Sequence, residues 1–327
     1  MWWVDRKGKT GVIAAQWILV KSALISGVAL AAVYGFVAIS LVLTYRVSRV
    51  VGFVHGGIAL VSAFVYWYLT ADPSRTSGAN SGNWAYETRQ WPKWPAVLIA
   101  VALGAVVAAV FGAISTGRMA KWPRITVTTF SLGGMLLVTG IVASIWKGAF
   151  EIVPSPFGKG RRSIFGYTLT DHQIAVIILL PIVVLLLNFV VTRTRLGIAV
   201  RAVSDDIEAA EMVGISVRMV SVGVWAVSGA LAAFSGILLT PTTRVGADAV
   251  IFVLLRSMAG AALGGFESLP LALFGAFIFG QVETHVQGGT FGEISSGWRE
   301  VILMTVLSLS IIVVVRIRAV RTRLRGV

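Results

Sequence analysis

The sequence contains no cysteine, which excludes disulfides, thiolate catalysis and cysteine-ligated metals. Histidine is nearly as scarce. His55, His172 and His285 are the only three, and no acidic residue stands at metal-ligand spacing from them, so no metal site is expected. Charge is sparse too: charged residues are 13% of the chain, against roughly 25% in a soluble domain. Acidic residues number 14 against 28 Lys and Arg, and the acids lie in loops, at junctions or in one central stretch. A carrier driven alone by a proton or ion gradient wants acidic groups deep in its membrane helices, so their distribution weighs against that class. No Ser/His/Asp grouping stands out, which leaves no catalytic residue to nominate. Gly8-Lys9-Thr10 imitates the end of a phosphate-binding loop, but the upstream position that needs glycine is Trp3. The apolar runs lack sustained two-residue alternation, which argues against a membrane β-barrel.

What remains is hydrophobic. Apolar residues are 57% of the 327-residue chain, the mean hydropathy is +0.86, and several runs approach the roughly 20 residues that span a bilayer. The expected fold class is an all-α polytopic membrane protein with about 8–9 transmembrane helices, some interrupted by glycine, forming a single domain over 1–327. Glycine, at 35 residues, suits closely packed membrane helices. The net charge of +14 is explained by the positive-inside rule and anionic lipid rather than by nucleic acid. The N-terminal MWWVDRKGKTG is basic but is followed by no small-residue cleavage pattern, so it reads as retained.

Apolar segments are expected near 23–43 (after an interfacial lead-in), 50–70, 95–115, 125–146, 173–191, 217–239, 249–283 in two pieces, and 301–315. Polar stretches at 71–93 and 147–171 read as long loops. Between two of these apolar runs lies RTRLGIAVRAVSDDIEAAEMVGIS, residues 193–216, the densest charged segment with membrane-length sequence on both sides. Asp205 is the expected N-cap of a short helix, with Glu208 three residues on as a capping box requires. Gly214 can close that helix in the left-handed conformation. Ile207, Ala210 and Val213 give it a small apolar stripe beside Ala209, flanked by Asp206, Glu208 and Glu211. A connection between membrane helices needs none of this, whereas a helix gripped by another protein does.

The order Leu196-Gly197, Arg201-Ala202, Asp206, Glu208-Ala209-Ala210, Gly214-Ile215 resembles the cytoplasmic motif of ABC importer permeases of the branched-chain amino-acid (Liv) type. Gly52-Phe53-Val54-His55-Gly56-Gly57 is similar to that family's Asn-Phe-Ala-His-Gly sequence, with Gly52 and Val54 departing from it. The Gly264-Gly265-x-x-Ser268 junction also resembles the family. The resemblance implies a permease subunit whose coupling loop, 193–216, docks in a cleft of an ATP-binding subunit. It names Arg201, Asp205, Asp206, Ile207, Glu208, Ala209, Ala210, Glu211 and Gly214 as the coupling residues. The implied partners are a second permease chain, identical or different, two cytoplasmic ABC ATPase subunits, and an extracytoplasmic substrate-binding protein. ATP and Mg²⁺ belong on those partners, with no cofactor in this chain. The implied location is a prokaryotic cytoplasmic membrane, the implied cargo branched-chain or other hydrophobic amino acids, with urea and short amides also carried by relatives.

Polar groups inside the apolar runs are the candidates for a transport path: His55 with Gly56 and Gly57, Arg256, and Gly264 with Gly265. Two readings are open for His55, a tie to a neighbouring helix or a contact to substrate or gate. Arg256 is open between a substrate carboxylate, a structural Glu and snorkelling to an aqueous surface. Glu283 and His285 are close enough in sequence to pair, or to mark a membrane boundary. The basic tail, 316–327, and the loops at 44–49 and 117–124 should share the cytoplasmic side. Counting back from the tail puts the N-terminus outside, unless 50–70 or 249–284 is broken or 11–43 crosses twice.

Overall fold

The computed structural model describes residues 2–72, 89–119, 121–146, 154–158, 160–164, 167–241, 247–288 and 295–325. The expected loops at 71–93 and 147–171 and the end of the basic tail lie partly outside the described residues. The chain runs α1 (Trp2–Ser48), α2 (Val54–Thr70), α3 (Lys93–Thr116), α4 (Arg124–Trp146), β1 (Arg161–Ile164), β2 (Tyr167–Thr170), α5 (Asp171–Arg193), α6 (Arg195–Asp205), α7 (Ile207–Met212), α8 (Val217–Leu239), α9 (Ala247–Leu263), α10 (Leu269–Gln287) and α11 (Ser296–Arg325). Among the described residues, six helices are long and apolar enough to cross a membrane, and α2 and Ile251–Leu263 are shorter apolar helices.

No proline precedes Pro73, so nothing breaks the first helix. The separate lead-in before residue 23 is therefore absent, and α1 is continuous from Trp2 to Ser48. Across its 18 most apolar residues within Val20–Ser48, 78% are buried, against 6% across those of α5. That contrast places α1 at the centre of the bundle and α5 at its edge. Phe36, Ala38, Leu41 and Val42 are wholly buried in the core, with α8, α9 and α10 around them.

Lipid offers apolar side chains the same environment as a neighbouring helix, so close backbone approach and dispersion hold the spans together. α8 supplies that approach through small residues. Gly229 faces Gly104 and Ala108 of α3, and Gly236 sits on the Ala59 backbone of α2. The α9–α10 hairpin closes the same way, with Gly260 against Ala276 and Gly275 against Gly260.

The 147–171 stretch contains a β-hairpin that its composition did not announce. Arg161 pairs with Thr170 and Ile164 with Tyr167. It leads into α5, whose cap is a full capping box: Thr170 accepts from the Gln173 N–H, and the Gln173 side chain accepts from the Thr170 N–H. At 50–70 the expected interruption falls before the helix rather than within it. α2 starts after Gly52-Phe53 and then runs unbroken to Thr70.

Candidate functional site

The groups singled out by the sequence lie at the two opposite ends of the bundle and, with His55, in its core. The first region is the α6–α7 platform. Thr194 caps α6 by accepting from the Gly197 N–H at 3.2 Å. Gly197 is required there, because a Cβ would run into the Val190 and Val191 carbonyls. α6 persists through Asp205, so the expected cap moves by one residue. Asp206, not Asp205, caps α7, its Oδ1 accepting from the N–H groups of Glu208 at 2.9 Å and Ala209 at 3.1 Å. Gly214 ends the segment at φ +84°, as expected. Ala210 turns into the protein, while Ile207, Met212 and Val213 stand exposed beside Glu208 and Glu211. The outward face thus sets acids among exposed apolar residues. Arg201 is exposed on α6.

Two arginines at the end of α1 join the bundle to the platform and to the α9–α10 turn. Arg49 donates to the Ser204 carbonyl at 2.8 Å and pairs with Glu267 at 3.3 Å. Arg46 Nε donates to the Glu267 carbonyl at 2.8 Å. Tyr45 packs on Phe266 with ring centroids 5.1 Å apart. Arg49 (φ +54°) and Phe266 (φ +58°) both adopt left-handed backbone here, a conformation costly for non-glycine residues unless the surroundings enforce it. Gly264 and Gly265 form the α9–α10 turn at this same joint; Gly265 has φ +60°, and a Cβ on Gly264 would stand 2.6 Å from the Ser268 carbonyl oxygen.

His55 lies in the core, fully buried. Its Nδ1 is 2.7 Å from the Gly52 carbonyl, which fixes the proton on Nδ1 and makes Nε2 the acceptor for the Ser228 hydroxyl at 2.9 Å; Thr44 Oγ1, 3.2 Å from Nε2, donates to Ser228 Oγ at 2.8 Å. One imidazole thereby joins α1, α2 and α8. Gly56 and Gly57 pack against Leu254, Met135 and Val138. Beside His55 and Gly56 is a void of about 10 Å³, the size of a single water at most.

The second region is a cavity of about 410 Å³ near the opposite ends of these helices, within the roughly 300–1,000 Å³ range of small-molecule sites. Ala29, Leu30, Val33, Val176, Phe252 and Val253 form its apolar wall, and Leu239 and Val253 partition it from the small void above His55. Its polar side is a cluster around Arg256. Arg256 Nη1 donates to Glu283, Nη2 donates to both Glu300 oxygens at 2.9 and 3.1 Å, and the Tyr34 hydroxyl donates to Glu283. Gln287 Nε2 donates to Glu283 at 2.7 Å. His172 bridges Leu238 and Ser155 at 2.8 and 3.1 Å on the same wall.

The candidates for a transport path therefore fall in three places: His55 with Gly56 and Gly57 in the core, Gly264 and Gly265 at the platform joint, and Arg256 alone at the cavity. The sequence left Tyr34, Glu300 and Gln287 unmarked. Glu283 corrects two expectations. It pairs with Arg256 rather than His285, whose Nδ1 bonds the Gln281 carbonyl of its own helix at 2.7 Å. It is also an acid buried inside a membrane helix, where it is ion-paired with Arg256. Among the described residues no cluster of His, Asp or Glu has the arrangement to hold a metal.

The family described as "Branched-chain amino acid transport system / permease component" matches residues 23–315. The chain is similar to the high-affinity branched-chain amino acid transport system permease protein LivH of Escherichia coli K12, at 24% identity over 92% of this chain and 96% of the relative. It is similar to the corresponding permease BraD of Pseudomonas aeruginosa, at 23% identity over 80% and 84%. The fructose import permease protein FruF of Bifidobacterium longum matches at 26% identity over 65% and 61%. No solved structure matches.

Proposed function

Because this chain belongs to the branched-chain amino acid transport permease family, we propose how it works as the membrane-spanning subunit of an ABC importer. It lies in a prokaryotic cytoplasmic membrane beside a second permease chain. Two ABC ATPase subunits dock on the α6–α7 platform, and an extracytoplasmic binding protein delivers solute to the opposite side. ATP and Mg²⁺ act on the ATPases.

One observation carries this reading. α7 is a capped helix of six residues held out from the bundle, with Ile207, Met212 and Val213 exposed on either side of Glu208 and Glu211. The surrounding charge supports a cytoplasmic position. Arg46, Arg49, Arg193, Arg195 and Arg201 lie at this end, and Gly117 of the basic α3–α4 turn lies near Arg218 at the start of α8. The cavity then opens on the extracytoplasmic side. ATP-driven closure of the ATPase pair shifts the permease only if α7 is bound differently in its two states. The proposed cargo is a branched-chain or other hydrophobic amino acid. An apolar wall facing a guanidinium and carboxylates suits it better than it suits urea or a neutral amide.

Replacing Glu208 and Glu211 together by Lys tests the docking role. The expected result is loss of ATPase co-purification and of ATP-driven uptake. Unchanged co-purification and uptake would refute the docking role, and solute uptake by the chain alone in ATP-free liposomes would assign it to the secondary transporters.

A further inference from the structure

The cluster at the cavity is unbalanced, with one guanidinium against two carboxylates, and the two carboxylates are held differently. The Glu283 side chain is 4% exposed and is fixed by Arg256, Tyr34 and Gln287. The Glu300 side chain is 40% exposed and is held, among the described residues, by Arg256 alone. Withdrawing Glu283 would strand a buried charge, whereas Glu300 can return to water. The guanidinium itself is incompletely used. Its Nη2 serves both oxygens of Glu300, while the Nε on the same edge is buried with no partner. A carboxylate lying side-on along that edge would take Nε and Nη2 together as two parallel bonds, the stronger arrangement.

We propose that this cavity binds an α-amino acid as its zwitterion, with Glu300 as the exchangeable group. The substrate carboxylate displaces Glu300 from Nη2 and engages the Nε–Nη2 edge of Arg256. The freed Glu300 carboxylate accepts from the substrate ammonium, and the apolar side chain rests on Leu30, Val33, Val176 and Phe252. No bond is made or broken covalently, and the charge balance of the cluster is unchanged. In this structure Glu300 occupies the place on Nη2 that the substrate carboxylate would take. This inference rests on the amino-acid reading above and specifies which groups recognise the amino acid's two charges.

The test is equilibrium binding to the permease–ATPase complex in lipid nanodiscs without the binding protein. The probes are L-leucine, 4-methylpentanoate, which lacks the ammonium, and 3-methylbutylamine, which lacks the carboxylate. The native complex should prefer leucine to both. In Glu300→Gln the competing carboxylate is gone but the fold is untouched. Leucine should weaken about tenfold while 4-methylpentanoate tightens, so that the preference between them collapses; tenfold corresponds to about 1.4 kcal/mol. An unchanged leucine to 4-methylpentanoate ratio in Glu300→Gln overturns the inference, as does a native complex that transports leucine in the full importer yet shows no binding. A full importer that does not take up leucine overturns the amino-acid reading itself, which is a separate outcome.

Discussion

Asp206 offers a sharp test of the platform. It makes two hydrogen bonds to the first turn of α7, at 2.9 and 3.1 Å, and α7 has only six residues. A helix that short has no stability of its own in water, so its population depends on the cap and on the packing of Ala210. Replacing a capping Asp by Ala costs about 0.5–2 kcal/mol. If docking needs α7 formed, that cost reappears in the affinity for the ATPase as a rise of about 2- to 30-fold in Kd. Two controls separate the cap from the charge. Asp206→Asn removes the charge but keeps a good cap, so affinity should stay within a factor of about 2 of the native value. Asp205→Ala removes a charge one residue away that caps nothing, and should behave likewise. The assay is titration of the ATPase subunit onto the permease in nanodiscs, with ATP-driven uptake alongside. If Asp205→Ala weakens docking as much as Asp206→Ala, or if Asp206→Asn does, the cap is not what matters and the argument fails.

Two further predictions concern the bundle. A Cβ on Gly236 would stand 2.7 Å from the Ala59 carbonyl carbon and nearer its oxygen, whereas Gly223 on the same helix has nothing within 4 Å. Gly236→Ala should therefore lower thermal stability in mild detergent by about 1–3 kcal/mol, and Gly223→Ala should raise it by up to about 1 kcal/mol; equal effects would mean that α2 and α8 are not in close contact. His55→Ala removes a hub of three helices and should cost about 2–4 kcal/mol, with uptake per folded transporter unchanged. Lost uptake at intact stability would instead make His55 part of the solute path.

Periodicity and length located the spans well, α8 at Val217–Leu239 to the residue, because Ser216 and the end of an apolar run mark its limits without tertiary help. The cap of α7 was legible only to within one residue. Asp205 and Asp206 are both competent caps, and what selects Asp206 is α6 continuing one residue further than its charges suggest. Arg256 announced that it needs a partner, but Glu283 and Glu300 lie on two other helices, and no spacing rule relates positions brought together by helix crossing. Glu283 appeared to sit at a boundary because it ends an apolar run; only the approach of Tyr34 and Arg256 makes it interior. Arg46 and Arg49 read as ordinary positive loop charges, and their bonds depend on a turn at Glu267 more than two hundred residues away and on α6 at Ser204, 155 residues away.

That joint gives the α9–α10 hairpin mechanical leverage. Glu267 is gripped by Arg46 and Arg49 at one end of α10, and Glu283 meets Arg256 towards the other. The climb between them is about 24 Å at the helical rise. A tilt of about 5° with the joint as fulcrum would sweep the Glu283 end through about 2 Å, enough to part a hydrogen bond of the length that joins Arg256 to Glu300. A small rocking of the α6–α7 platform, passed through Arg49, would thus be geared up into a step the size of one polar contact at the cavity.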